Sequence, residues 1–152
     1  DNNKVNESNE SNEKNLVLIH LGVHSKTGII RLEKYAYNNM TFRVPDQNGQ
    51  QPENQSINNL LSFDQSLQTD FNLEIVSNIL NSEGYNCCIS DDPGRYLCNY
   101  TYFQSLSRIH GNKYVLFIHV PPAEVLPIDE QIKFLERCIP LLIEQVTQDS
   151  ST

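Results

Sequence analysis

A chain of 152 residues with 38% hydrophobic content is long and apolar enough to build one domain around a real core. Its 19 acidic residues against 11 basic ones give a net charge of -8, which argues against nucleic acid as a partner, because phosphate binding needs clustered Lys and Arg. No apolar run approaches the ~20 residues that span a bilayer, and the start lacks the basic and hydrophobic regions of a signal peptide, so the sequence reads as cytosolic with no membrane partner.

Residues 1–15 are almost all Asn, Glu, Ser, Lys and Asp, a composition that cannot repay its ordering entropy and predicts a disordered polar segment. The run from Leu16 to Gly22 is continuously apolar and predicts a strand buried on both faces of a mostly parallel sheet. His20 inside it reads as a core histidine bonded to a backbone carbonyl. After a polar turn from Val23 to Gly28, the stretch Ile29–Tyr37 alternates in part and predicts one further strand, with Arg31, Glu33 and Tyr35 on one side and Ile30, Leu32 and Ala36 on the other. Glu33 is then a carboxylate on a structured element, where a solvated side chain paired with Arg31 or Lys34 is the common outcome.

From Asn38 to about Asp70 the chain is rich in turn residues, and a connection of that length is either functional or disordered. Leu73, Val76, Ile79 and Leu80 recur at helical spacing ahead of Gly84, which is placed to stop the helix. Cys87–Ser90 predicts a short strand. It leads through Asp91-Asp92-Pro93-Gly94 into a helix over about Arg95–His110, with Cys98 in its first turn. Helix starts present unpaired N–H groups and the positive dipole end, both of which favour thiolate over thiol. A small buried hydrophobe is nevertheless the commoner fate of a free cysteine.

Tyr114–Val120 predicts a second buried strand, with His119 at its carboxyl end, the edge of an open sheet where ligands gather. In the last helix Ile128, Ile132, Leu135, Ile139, Leu142 and Val146 predict the buried stripe, Cys138 falls one residue off it, and Pro140 should kink the helix. A polar tail covers 148–152, leaving 16–147 as the folded domain. The four cysteines, Cys87, Cys88, Cys98 and Cys138, lack paired spacing, which favours reduced thiols and no metal site. Strands alternating with helices predict an α/β fold.

Cys98 in Pro-Gly-Arg-Tyr-Leu-Cys-Asn, His119 in Phe-Ile-His-Val-Pro, Glu33 with Asn38 five residues later, and the loop Arg43–Pro52 together resemble the pyroglutamyl-peptidase I (pyrrolidone-carboxylate peptidase) family. The likeness runs collinearly from about Leu16 to Val146. It implies a three-layer α/β/α sandwich with a mostly parallel twisted sheet. It also implies a cysteine peptidase that removes an amino-terminal L-pyroglutamyl residue from peptides, with no metal and no organic cofactor. Carried over, Cys98 is the nucleophile, His119 the general base and later acid, and Glu33 the group that orients the imidazole. Leu97, Gly22 and Val23 fall on segments that bind substrate, in a pocket expected to be mostly apolar. A homo-oligomer is compatible with the sequence. The family's first strand, its Gly-Phe-x-Pro-Phe loop and its first helix find no counterpart upstream of Leu16. A silent interaction module that keeps the sheet without closing a pocket is therefore the alternative reading.

Overall fold

The computed structural model describes residues 16–24 and 28–149. The polar segment 1–15, part of the turn before Gly28 and the end of the tail lie outside these residues.

The elements follow in the order β1 (Leu18–Val23), β2 (Ile30–Glu33), β3 (Tyr35–Tyr37), β4 (Ser66–Gln68), α1 (Leu73–Ser82), β5 (Cys87–Ser90), α2 (Leu97–Arg108), β6 (Val115–Val120) and α3 (Ile128–Asp149). Four strands make one sheet in the order β1-β6-β2-β5, and β3 pairs with β4 in a second, two-stranded sheet. β1 runs parallel to β6, β2 runs parallel to β5, and β2 meets β6 antiparallel. The sheet is mostly parallel, as the alternation of strands and helices predicts.

Side-chain alternation along β6 divides the core. Leu116, Ile118 and Val120 point to one face, where α1 and α3 bury Val76, Leu80, Phe134, Leu142 and Val146 against them. Val115 and Phe117 point to the other, where α2 packs Tyr102, Phe103 and Leu106. The result is the three-layer sandwich. Each fully buried Leu, Ile or Phe contributes about 1.5–3 kcal/mol of transfer free energy, so β6, buried along its whole length, anchors both layers.

Four expectations need correction. β1 is an edge strand, pairing with β6 on one side, and Leu21 and Val23 on it are 53% and 65% exposed rather than buried. The single strand expected over Ile29–Tyr37 is broken at Lys34. There the backbone N–H donates to Ser90 of the large sheet while the carbonyl accepts from Thr69 beside β4, so the chain changes sheets. The buried face of α3 is Gln131, Phe134, Cys138, Leu141, Leu142 and Val146, whereas Ile128 and Ile132 are exposed. Phe134 turns the helix this way by packing edge-on against Tyr85, and Gln131 donates to the carbonyls of Pro121 and Leu126. His20 bonds the Ser105 hydroxyl at 2.9 Å rather than a backbone carbonyl, and stacks on Phe117.

The helix stop behaves as predicted, since Gly84 adopts a φ of 94°, which costs any residue with a Cβ. The long connection after β3 is ordered by side chains. The buried Asn38 amide donates to the carbonyls of Asn58, Leu61 and Ser62 and accepts from the Asn58 N–H. Buried Asn99 does the same for the carbonyls of Tyr37 and Asn39 and the N–H of Tyr37.

Candidate active site

Parallel pairing of β1 with β6 sets Gly22 beside His119 at the carboxyl ends of both strands. α2 begins over this point. Its N-cap, Tyr96, makes no side-chain capping bond, so the first amides of the helix, those of Leu97, Cys98 and Asn99, have no intrahelical acceptor. The turn ahead of it is held firmly. Asp92 accepts from the Gly94 N–H and the Arg95 guanidinium, Gly94 sits at a φ of 81°, and Arg95 lies 3.9 Å over the Tyr37 ring.

Cys98 therefore hangs at the second residue of α2, against Gly22. A methyl group at Gly22 would stand 3.0 Å from the Cys98 sulfur and 2.8 Å from the Phe117 ring, so only glycine lets the strand, the ring and the thiol meet. Cys98 and His119 line the same cavity, and the thiol is close enough to the ring to favour its protonated form. On the other side of that ring, His119 Nδ1 donates to Glu33 Oε1 at 2.8 Å. Glu33 reaches it from the antiparallel strand β2, where it lies opposite Phe117 while Arg31 lies opposite His119.

Glu33 is completely buried and His119 nearly so. Burial disfavours the imidazolium, but the neighbouring Cys98 and the hydrogen-bonded Glu33 carboxylate outweigh it and raise the His119 pKa to about 9. The Tyr102 hydroxyl donates to the Glu33 carbonyl at 2.8 Å, and this fixes the β2 backbone from α2. An arrangement of this kind can hold a thiolate–imidazolium pair, with the carboxylate fixing the Nδ1–H tautomer and leaving Nε2 toward the sulfur.

Cys98 and His119 open onto a cavity of about 460 Å³, whose walls also include Val23, His24, Thr41, Arg43 and the 93–97 turn. Val23 and Leu97 line this cavity, while Gly22 serves as the floor under the sulfur. The lining is more polar than the mostly apolar pocket the sequence led us to expect, because two arginines and a histidine join Val23, Tyr96 and Leu97. A second hollow of about 390 Å³ lies beyond Leu97, between Met40, Phe42, Gln51 and Tyr100.

Sequence reasoning singled out neither His24 nor Thr41 as site residues, because nothing local marks either position. The other thiols differ in setting. Cys87 and Cys138 are buried, and burial pushes them up to about 11 and about 12, whereas Cys88 is exposed. Among the described residues no group of His, Cys, Asp or Glu gathers in a way that could hold a metal ion, and no helix is long and apolar enough to cross a membrane.

A family model for pyroglutamyl peptidase matches residues 2–145. The chain belongs to the pyroglutamyl peptidase family. Among relatives, it is 33% identical over 110 residues to the pyrrolidone-carboxylate peptidase of Thermococcus litoralis, a match covering 69% of this chain and 48% of the relative. Human pyroglutamyl-peptidase 1 is 30% identical over 115 residues, covering 70% and 49%. In structure it resembles the pyrrolidone carboxyl peptidase of Thermococcus litoralis with a TM-score of 0.78 and 26% identity, over 88% of this chain and 68% of that one. The enzyme from Thermus thermophilus gives 0.71 at 25% identity, over 81% and 68%. The chain thus spans about half the length of these curated pyroglutamyl peptidase relatives.

Proposed function

We propose that this protein is a cysteine peptidase of the cytosol that removes an amino-terminal L-pyroglutamyl residue from peptides through a thiol acyl-enzyme. The observation that carries the reading is the hydrogen-bonded His119–Glu33 pair sharing with Cys98 the wall of a cavity large enough for a small ring. Family membership supplies the substrate class.

In this mechanism the Cys98 thiolate attacks the carbonyl that joins the pyroglutamyl group to the next residue. The new C–S bond pushes the carbonyl electrons onto oxygen, and the amides at the start of α2, which have no intrahelical acceptor, are the donors available to the oxyanion that forms. Collapse of the intermediate breaks the C–N bond, and His119 gives its proton to the departing amine. Water then attacks the thioester, His119 accepts the water's proton, and pyroglutamate leaves with Cys98 restored. Glu33 keeps the imidazole oriented and stabilises its charged form throughout.

Hydrolysis of a fluorogenic L-pyroglutamyl amide by the intact protein tests this. Cys98→Ala should remove turnover, a loss on the order of 10³-fold or more, while Cys88→Ala should leave it unchanged. Equal rates for wild type and Cys98→Ala would reject the nucleophile. Absence of turnover in the wild type, with Cys98 no more reactive than Cys88, would favour a silent interaction module.

A further inference from the structure

Arg31 stands next to the triad, and the mechanism above does not use it. Its side chain is 22% exposed and its Nε lies 3.7 Å from Glu33 Oε1, the same oxygen that accepts from His119. That is a charge contact without a hydrogen bond. Two tethers hold the guanidinium at this distance, since one terminal nitrogen donates to Ser90 Oγ at 2.7 Å and the other lies 3.1 Å from His24 Nε2. A guanidinium can only donate, so His24 Nε2 is the acceptor there. The second Glu33 oxygen, Oε2, is buried and has no hydrogen-bond partner among the described residues. Arg31 is therefore close enough to attract the carboxylate and restrained from taking it away from His119.

The charge count gives this placement a purpose. With the thiolate formed, Glu33 and Cys98 carry two negative charges against the single positive charge of His119, and Glu33 and His119 are both buried. Arg31 brings the group to neutrality. We propose that Arg31 is a positioning residue that balances the charge of the Cys98–His119–Glu33 series, and so sets the pH range over which the thiolate–imidazolium pair exists. The inference rests on the peptidase reading of that series.

The groups facing Arg31 come from every element around it. They are Glu33 on its own strand, His119 across the register on β6, Cys88 and Ser90 on β5, Asp92 beyond β5 and His24 after β1. Asp92 is already paired with Arg95 at 2.8 Å, which leaves Glu33 as the carboxylate whose field Arg31 chiefly offsets. Removing the positive charge makes the thiolate harder to form and the imidazolium harder to deprotonate, so both limbs of the pH profile must move the same way.

The test uses the intact protein as wild type, Arg31→Gln and Arg31→Lys. Alkylation of Cys98 by iodoacetamide is followed by peptide mass spectrometry across pH, which separates it from Cys88 and needs no turnover, and hydrolysis of the pyroglutamyl amide is measured across the same range. For Arg31→Gln both limbs should move to higher pH by about one unit, with Cys98 labelling several-fold slower on the acid side, and Arg31→Lys should restore most of the shift. A merely structural role would lower the amplitude and leave the limbs in place, and that result overturns the inference. So does an Arg31→Lys profile displaced as far as that of Arg31→Gln. If Arg31→Gln does not fold, Ser90→Ala carries the test. Freed from this tether, the guanidinium can close on Glu33 and weaken its hold on His119, so the alkaline limb should fall, and an unmoved limb overturns the inference. A wild-type Cys98 that shows no preferential alkylation would instead reject the catalytic reading itself.

Discussion

At Gly22 a strand, an aromatic ring and a sulfur converge with no space left for one methyl group. Gly22→Ala should therefore displace Cys98 or Phe117. We expect a stability loss of about 1–3 kcal/mol from overpacking, and a turnover loss of about 10²-fold because the thiol and imidazole no longer align. Chemical denaturation beside a kcat measurement checks both, and a variant with wild-type kcat would contradict this role for the glycine. His119 makes a prediction of a different kind. Its pKa is raised from 6.5 to about 9 in the folded protein, so the stability it contributes is fully present below about pH 6.5 and is lost as pH rises through about 9. Thermal unfolding midpoints should fall across that window in the wild type, and His119→Gln should flatten the fall. Parallel slopes for the two proteins would mean that His119 is not the group responsible.

Among the elements, the connection from β3 to β4 depends most on single side chains. Asn38→Ala leaves the carbonyls of Asn58, Leu61 and Ser62 without their shared donor, at a cost of roughly 2–3 kcal/mol. Limited proteolysis should then cut between residues 39 and 62 well before it cuts α1 or α3, and an unchanged cleavage pattern would count against this latch. Asn38 could be noticed in the sequence through its family resemblance, but its chemistry could not, because its partners lie about twenty residues further along the chain. Helix boundaries were legible where caps and periodicity agree, as at Gly84. The face of α3 was not legible, because two apolar stripes overlap on it and the choice between them is made by Phe134 packing on Tyr85 and by Gln131 reaching two carbonyls. The break at Lys34 was hidden for a related reason. Ile30, Leu32 and Ala36 keep one phase on either side of it, and the change of backbone partners separates the two strands.

For the whole molecule, the layered α/β architecture was readable because strand and helix periods alternate cleanly from β5 to α3. What local pattern could not supply was topology. The antiparallel entry of β2 between β6 and β5 brings Glu33 to His119 across 86 positions, and it also sets Arg31 there. Edge position is likewise a property of the sheet as a whole, which is why β1 reads as buried in sequence and stands half exposed in the fold. The same convergence gathers Arg43, Arg95, His24 and His119 around one cavity, with Arg31 against His24, in a chain whose net charge is -8. The central proposal is that Cys98 carries the pyroglutamyl group between two half-reactions. The measurement that tests it most directly is acid quench of the intact protein during turnover of an L-pyroglutamyl amide, followed by peptide mass spectrometry. We expect a pyroglutamyl thioester on the peptide containing Cys98. An acyl group on Cys88 instead, or none on Cys98 while product accumulates, would contradict it.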